Sequence, residues 1–196
     1  FYLDETVTGF RVAPGGCAEL YGLKPDIVTY GKALGAGLPM AAITGPDHVM
    51  QGLEWGKVLH YGTHNAGRLT LSVTKCMLEI MLADDRANYK RLTHLGSKMA
   101  DEIRRVSKGH NRHKLIVQNV NSMFQIFFTE KDEIADVRDY SAHVDRTKFR
   151  DFVLKLMDKG VYMSPSAGLH SLSSIVHTED DIAFTARAVG EALDEL

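Results

Sequence analysis

The first part of the chain alternates short apolar runs with turns rich in glycine and proline. Residues 1–3 are apolar and aromatic, and residues 26–31 (DIVTYG) and 40–45 (MAAITG) are short runs that end in glycine. Such runs are typical of strands buried on both faces of a mainly parallel sheet. The connection between the first two runs is long enough for a crossover. This pattern therefore predicts an α/β fold.

Two helices are predicted on either side of the polar stretch ADDRANYK, residues 83–90. Before it, apolar side chains recur at three- and four-residue spacing, which predicts a helix facing a core: Leu69, Val73, Cys76, Met77, Ile80 and Met81. After it, a helix over about residues 86–108 has its apolar stripe at Leu92, Leu95, Met99, Ile103 and Val106. We place a domain boundary at this stretch, so that residues 1–85 complete an α/β domain and residues 86–196 form a smaller domain.

The sequence of the smaller domain contains both strand-like and helix-like patterns of apolar residues. Residues 114–120 (KLIVQNV), 122–129 (SMFQIFFT) and 161–164 (VYMS) are predicted strands, and residues 147–160 form an amphipathic helix that ends at Gly160. The last helix begins at Thr178 and has acidic residues in its first turn, which favours a helix N-terminus. Strands and helices in this order predict an α+β domain.

Composition and charge limit the classes of partner. A chain of 196 residues with 44% hydrophobic content can bury a sizeable core, and its net charge is −2 without a block of like charge. Neither nucleic acid nor a membrane surface is therefore an expected partner, and a small ligand is favoured. No apolar run approaches the roughly 20 residues of a membrane span. Because the chain opens inside an apparent strand, FYLDE, we expect it to be the later part of a longer protein.

The two cysteines bear on the compartment. Cys17 and Cys76 are far apart and lie outside any CxxC spacing. This usage fits a reducing compartment better than a disulfide-linked secreted domain, so a cytoplasmic protein is predicted.

A carboxylate and an amine follow two neighbouring predicted strands. Asp4 stands at the end of the first strand, and Lys32 stands just past the end of the next. In an open parallel sheet both would lie at the carboxyl edge, where ligands bind. The pair suits an aldehyde cofactor with a basic ring nitrogen, such as pyridoxal phosphate (PLP), where a lysine forms the Schiff base and an aspartate pairs with the ring nitrogen. By spacing alone, a solvated surface lysine and an Asp-Glu cap remain open alternatives.

Three ordered blocks carry a resemblance to a known family. They are DETVTGFR (residues 4–11), GLKPDIVTYGKALGAGLPMAAITG (residues 22–45) and YGTHNAGRLTLS (residues 61–72). Their residues and separations resemble the class III aminotransferases of PLP fold type I, and most closely the glutamate-1-semialdehyde 2,1-aminomutase branch. A weaker resemblance extends to the end of the chain. It implies the second half of a large PLP-binding domain, a mainly parallel sheet with helices, followed by a small α+β C-terminal domain.

The resemblance assigns roles to five residues. It implies that Lys32 is the Schiff-base lysine and the base that moves protons between cofactor and substrate, and that Asp4 binds the pyridine nitrogen. Thr6 falls where the family usually has a valine or isoleucine that packs on the ring. Gly62 and Thr63 match a Gly-Thr pair that reaches the cofactor phosphate of the neighbouring subunit. A homodimer with shared active sites is therefore implied.

The implied function is PLP-dependent amino-group transfer between small amino and keto substrates. Gly67 and Arg68 replace an Asn-Pro pair of the family, and Leu169 stands near the position of a glutamate of the aminomutase. These departures favour a related aminotransferase over a strict aminomutase. A racemase on the same scaffold and a non-catalytic or truncated relative that serves as a dimerisation module remain alternatives. The chain alone is expected to be inactive, because the first half of the family's proteins supplies another phosphate-binding loop and an aromatic ring.

Several other side chains have two interpretations each. Arg11 could meet a substrate carboxylate or form an ion pair that supports its loop. His60 and His64 could line the cofactor entrance or have a structural or rim role. His170 and His177 could each approach the substrate or serve packing. His110 and His113 are three residues apart in a basic, glycine-containing stretch, so a solvated turn is favoured over a metal-binding pair. Trp55 is expected to cover an interface or loop.

Overall fold

The computed structural model describes residues 1–53, 57–110 and 112–196, so the expectation for Trp55 lies outside the described residues. The chain divides into two compact units, Phe1–Lys90 and Arg91–Leu196. Among the helices of the described residues, none is both long enough and apolar enough to cross a membrane.

The first unit contains a three-stranded sheet. Strand β1 spans Tyr2–Glu5, β2 spans Ile27–Tyr30 and β3 spans Ala42–Thr44. The strands lie in this order, with β1 parallel to β2 and β2 antiparallel to β3. The predicted crossover between the first two strands contains helix α1, Gly16–Tyr21. A 3-10 turn, Lys32–Gly35, follows β2 directly.

Three further elements complete the helical part of this unit. Helix α2 spans Asp47–Met50, a second 3-10 turn spans Gln51–Leu53, and helix α3 is assigned over Arg68–Lys108. The backbone of α3 is non-helical from Ala83 to Arg86, and Asp84, Asp85 and Arg86 have φ values of 50, 52 and 60°. Two helical segments therefore lie on either side of an interruption within the polar stretch.

The apolar surfaces of the first unit are more exposed than their pattern predicted. Tyr2 in β1 is 56% exposed and Ile43 in β3 is 45% exposed, so the expectation that these strands are buried on both faces is wrong for this chain. On α3, Leu69 is 73% exposed and Ile80 is 51% exposed, although Met81 is buried. Within the described part of the unit, too few residues pack against these side chains to bury them. The spacing of apolar residues in the sequence does not show which residues would bury them.

The second unit contains an antiparallel sheet and three helices of its own. Strands β4 (Leu115–Val120) and β5 (Met123–Phe128) pair along their whole length, and β6 (Ser171–Leu172) pairs with the start of β5. Helices α4 (Val137–His143), α5 (Arg146–Asp158) and α6 (Glu179–Asp194) complete the unit. The predicted strands at 114–120 and 122–129 and the two predicted helices are confirmed. Helix α4, which begins after the N-cap Asp136, was missed.

The strand predicted at residues 161–164 is wrong. This segment begins by capping α5, since the Val161 N–H donates to the Leu156 carbonyl at 2.9 Å. The edge of β5 is occupied instead by β6, which pairs Phe124 with Ser171 and Met123 with Leu172. The apolar residues of 161–164 resemble a strand in sequence, but the segment that pairs with β5 is β6.

The core of the second unit lies between its sheet and its helices. Its fully buried large side chains include Phe128 of β5, Phe152 and Leu156 of α5, and Ile182 and Leu193 of α6. The predicted stripe of α3 joins this region, because Leu92, Leu95, Met99 and Ile103 are all buried. Two backbone segments of this unit approach closely at Gly96, where an added Cβ would lie 2.5 Å from the Cα of Ser122. A glycine is needed there because backbone cannot move aside as a flexible side chain can.

Candidate active site

Asp4 lies near the carboxyl end of β1 and is held by hydrogen bonds from two threonines. The register places it opposite Thr29 of β2. Its Oδ1 atom accepts from the Thr6 backbone N–H at 2.9 Å and from the Thr29 hydroxyl at 3.3 Å. The Thr29 hydroxyl in turn lies 2.7 Å from the Tyr2 hydroxyl. These contacts fix the carboxyl group at the edge of the sheet.

The same contacts keep this carboxyl group ionised. Hydrogen bonds from Thr6, its side chain first and then its backbone, lower the pKa of Asp4 below its usual range, and Thr29 and the positive charge of Lys32 lower it further. Hydrogen bonds to a carboxylate favour its charged form because the neutral acid accepts them less well. The parallel register of β1 and β2, with Glu5 opposite Tyr30, places Asp4 and Lys32 at the same end of the two strands.

Lys32 is exposed and lies at the start of the 3-10 turn after β2. Its φ is 44°, and Ala36 and Gly37 of the same turn have φ values of 48° and 95°. A residue with a Cβ in this left-handed region costs on the order of 1–2 kcal/mol. The turn thus holds Lys32 in a conformation that most residues avoid.

A second contact brings the two strand ends together. A Cβ added to Gly31, the residue before Lys32, would lie 3.2 Å from the Cγ2 atom of Thr6. The loop after β1 therefore lies against the backbone that presents Lys32. The structure thus brings Asp4, Thr6 and Lys32 to one edge of the sheet, where the strand pattern placed Asp4 and Lys32.

Glu5 is a site residue that sequence reasoning missed. Its side chain is fully buried, and it accepts hydrogen bonds from the Ala18 N–H, at 2.8 Å, and from the Thr8 hydroxyl. An added Cβ at Gly16, where φ is +65°, would overlap the same carboxyl group. The alternation of a strand could have indicated it, because neighbours such as Asp4 and Glu5 point to opposite faces.

Glu5 supports the loop on which Thr6 lies. Its carbonyl accepts from the Gly9 N–H at 2.9 Å, and a Cβ at Gly9 would lie 2.6 Å from Cδ1 of Tyr30. The rings of Phe10 and Tyr30 are 5.2 Å apart. Burial first, and then the charge of Glu5, raises the pKa of Tyr30. The loop is therefore closed by packing on the strand that leads to Lys32.

Gly62 and Thr63 are not hydrogen-bonded to Asp4, Thr6 or Lys32 among the described residues. Both residues are exposed, and the Gly62 carbonyl accepts from the Asn65 N–H at 3.0 Å. Across the described ranges, no hydrogen bond or ion pair joins either residue to Asp4, Thr6 or Lys32. The structure therefore does not bring together all five residues of the predicted site.

The remaining candidates lie in three places. Arg11 is half-buried near Tyr89, and its pKa is lowered chiefly by burial. His60 and His64 are exposed in the first unit. His170 and His177 line a cavity of about 560 Å³ in the second unit, and the His177 Nδ1 atom accepts from the Ser174 N–H at 3.2 Å. Among the described residues, no group of three His, Cys, Asp or Glu side chains could hold a metal ion.

The sequence of this chain matches the profile of a known protein family. The description of that family is "Aminotransferase class-III", and its profile matches residues 1–193. The chain belongs to the class III aminotransferase family, and the resemblance of the three sequence blocks is confirmed.

Curated relatives share about a third of their residues with this chain. A glutamate-1-semialdehyde 2,1-aminomutase of Thermus thermophilus is 38% identical over 193 residues, which cover 97% of this chain and 44% of the relative. The enzyme of the same name from Akkermansia muciniphila is 36% identical over 194 residues, which cover 98% of this chain and 44% of the relative. The chain thus spans less than half the length of these relatives.

Solved structures show the same fold. A structure described as a transaminase with PLP bound has a TM-score of 0.81 at 22% identity, over 99% of this chain and 43% of its own. A glutamate-1-semialdehyde-aminomutase of Pseudomonas aeruginosa in complex with PMP has a TM-score of 0.83 at 18% identity, over 100% of this chain and 44% of its own. The predicted fold, part of a PLP-dependent transferase large domain followed by a small domain, is confirmed.

Proposed function

We propose that this chain is part of a PLP-dependent enzyme that transfers an amino group between small amino and keto compounds. The observation that carries the proposal is the juxtaposition of an ionised carboxylate and an amine at one sheet edge, Asp4 and Lys32. Family membership over residues 1–193 supports it. Within this proposal, residues 1–85 belong to the large cofactor-binding domain and residues 86–196 form the small domain.

The residues at this edge fit PLP. Asp4 would hold the ring nitrogen, because a carboxylate with a lowered pKa favours a protonated nitrogen beside it. Lys32 would hold the aldehyde end, and Thr6 would pack against the ring through its methyl group. When bound, PLP supplies an electron sink for the carbanion at the substrate carbon.

The chain's own groups would perform the proton transfer. The Lys32 amine is exposed on a turn that starts directly after β2, so it can take a proton from a substrate carbon and return it to another atom. Thr6 and Thr29 would keep Asp4 ionised during this step, since both donate hydrogen bonds to it. Return to a different carbon gives transfer, whereas return to the opposite face of the same carbon would give a racemase.

We also propose that Gly62 and Thr63 serve the cofactor phosphate of a second subunit in a homodimer. Both are exposed and make local hydrogen bonds, and neither is bonded to Asp4 or Lys32. A pair with a backbone N–H and a hydroxyl is suited to phosphate oxygens. This arrangement would place shared active sites at the dimer interface.

The choice between the two named reactions rests on the small domain. Relatives at 36–38% identity are called glutamate-1-semialdehyde 2,1-aminomutase, yet Leu169 stands near the position of a glutamate in that enzyme, and its side chain is 53% exposed. A leucine cannot exchange protons or accept hydrogen bonds. We therefore favour a related aminotransferase that uses an external keto acceptor.

The test is reduction of the full-length protein with borohydride in the presence of PLP, followed by peptide mapping. We expect the label on Lys32. We also expect Lys32→Ala to lower amino-group transfer by about 10²- to 10⁴-fold, the range for loss of a general acid–base group. Lys24→Gln, at an exposed lysine of the same unit, is the matched control and should retain both label and activity.

Two results would contradict the proposal. Label on another lysine would remove Lys32 from the site. Label on Lys32 without turnover of any amino donor would favour the non-catalytic dimerisation module. Exchange of the substrate α-proton with solvent deuterium, with inversion and without amino transfer, would favour the racemase.

A further inference from the structure

A basic cavity of about 480 Å³ lies in the second unit, between the end of α3 and the start of β4. The described side chains that line it include five basic groups and one acidic group: Arg104, Lys108, His110, His113, Lys114 and Asp132. None of these residues belongs to the proposed cofactor site, which lies in the other unit. The cavity therefore needs its own explanation.

Part of this charge is fixed by the protein itself. The Arg104 Nε atom donates to the Val117 carbonyl at 2.9 Å, and Nη2 donates to Oδ1 of Asn119 at 2.5 Å. The Lys114 ammonium lies 3.2 Å from Oδ1 of Asp132. Arg104 Nη1 also lies 2.6 Å from Oδ1 of Asp101, and His110 Nε2 lies 3.2 Å from Oδ1 of Asp194. These contacts hold Arg104 and Lys114 in place, and the three acids offset part of the positive charge.

Two groups that line the cavity could bind a ligand: the Lys108 ammonium and the His113 ring. Lys108 is exposed and, in the described part of the chain, makes no ion pair within 4.0 Å. The Nδ1 atom of His113 is buried and has no hydrogen-bond partner among the described residues. A buried polar atom without a partner is costly, so a ligand that pairs with it gains the free energy otherwise lost.

The potential around His113 is positive. Burial first, and then the charges of Lys148 from α5 and of Arg112 and His110 from its own loop, lowers the pKa of His113. Lys114 and Arg104 face the same cavity, and Asp132 is the acidic group among its described lining residues. An anion placed here would relieve this repulsion and favour the protonated ring.

We propose that this cavity binds a small phosphate monoester through Lys108 and His113. The group needs several acceptor oxygens, since an ammonium, an imidazole and the nearby guanidinium all donate. Arg104 and Lys114 are paired with Asp101 and Asp132, so Lys108 is the lining lysine or arginine without an ion pair among the described residues, and it supplies the charge for an anion. The volume leaves room for a small organic portion beyond the phosphate.

The test follows the ring signals of His113 by NMR in the full-length protein, saturated with PLP so that its active-site phosphate position is filled. Inorganic phosphate is the probe, titrated against sodium chloride at matched ionic strength. We expect phosphate to raise the pKa of His113 and to bind more tightly as pH falls through that pKa. Lys108→Gln should weaken binding about tenfold, the effect of losing one hydrogen bond to a charged group.

Two further variants keep the outcome clear. His113→Gln should weaken binding and remove the part of its pH dependence that exceeds the second ionisation of phosphate itself, whereas Lys24→Gln, an exposed lysine in the other unit, should bind phosphate as the unchanged protein does. The proposal is wrong if phosphate moves the His113 signals no more than chloride does. It is equally wrong if Lys108→Gln and Lys24→Gln have the same effect. Because the readout is independent of turnover, it can fail while the proposed amino-group transfer stands.

Discussion

The two units of this chain bury their apolar side chains very differently. In the first unit, the buried apolar side chains among the described residues are Val12, Val28, Leu34, Met81 and Tyr89. In the second unit, one cluster extends from Leu95 to Leu193 and joins the sheet to the helices. The candidate chemistry therefore lies on the unit with the sparser core, and the second unit holds most of the hydrophobic stabilisation.

The first unit relies more on local hydrogen bonding and on unusual backbone. Its fully buried carboxyl group belongs to Glu5, which joins Thr8 of the loop to Ala18 of helix α1. Non-glycine residues with positive φ include Phe10, Lys32 and Ala36 in this unit, whereas the described residues of the second unit contain Asn121. Such conformations often occur at functional sites, where surrounding contacts hold them. The candidate site therefore lies in the unit with more of the unusual backbone conformations, and the larger apolar core lies in the other unit.

Phe152→Ala is expected to have the largest effect on the stability of one unit relative to the other. Phe152 is fully buried and its ring lies 5.4 Å from that of Phe128, so truncation should lower the free energy of unfolding of the second unit by about 3–5 kcal/mol. Hydrogen exchange read by mass spectrometry would show the loss in β4, β5, α5 and α6. Met157→Ala, at an exposed position of the same helix, should change it by less than about 0.5 kcal/mol.

The expected difference between the units is wrong if Phe152→Ala lowers the hydrogen-exchange protection of β1 and β2 as much as that of β4 and β5. That outcome would mean that the two units unfold together. Separate responses would support two cooperative units within one chain.

A smaller effect, confined to the first unit, is expected for Glu5→Ala. The change leaves the Ala18 N–H and the Thr8 hydroxyl without their acceptor, and each buried unsatisfied group costs about 1–3 kcal/mol. Faster hydrogen exchange at β1 and α1 would be the measurement. The control is Glu79→Ala, because the Glu79 side chain is 65% exposed and pairs only with Lys75 at 3.7 Å among the described residues. Equal effects of the two changes would contradict the supporting role of Glu5.

The smallest effect is expected for Thr178→Ala at the start of α6. The Thr178 hydroxyl accepts from the Asp181 N–H at 3.2 Å, and its own N–H donates to the Asp181 carboxylate at 2.8 Å. Loss of the cap should cost about 1 kcal/mol of second-unit stability. Thr147→Ala, an exposed threonine of α5, is the control and should have little effect.

This cap also predicts a dependence on pH. Hydrogen bonds from Thr178, its backbone first, lower the pKa of Asp181. A depressed carboxyl pKa stabilises the folded state above the unfolded pKa, about 3.9 for Asp, and this stabilisation is lost as pH falls through the folded pKa. Urea unfolding at pH 7 and near pH 3 should therefore show a smaller difference in Thr178→Ala than in the unchanged protein. An unaltered difference would exclude the Thr178 hydroxyl as its source and leave the Thr178 backbone N–H, which the variant keeps.

Sequence patterns predicted the elements whose signal is local. The stripe from Leu92 to Ile103 and the strands at 114–120 and 122–129 are confirmed, and Thr178 caps its helix as its position predicted. The strand at 161–164 was wrong because its apolar residues serve packing next to α5, while pairing with β5 depends on distant residues. Glu5 was missed because a charged residue is usually exposed.

The sequence by itself determined most of the helices and strands, the family, and the positions of Asp4 and Lys32 at the ends of successive strands, because each depends on neighbours in the chain or on a short motif. Only the tertiary structure decided that Thr6 and Thr29 hold Asp4, that Glu5 is buried, and that Lys108 and His113 share a cavity. The Thr29–Asp4 contact joins residues 25 positions apart, and the free energies of all these contacts depend on burial and distance, which residue spacing does not report.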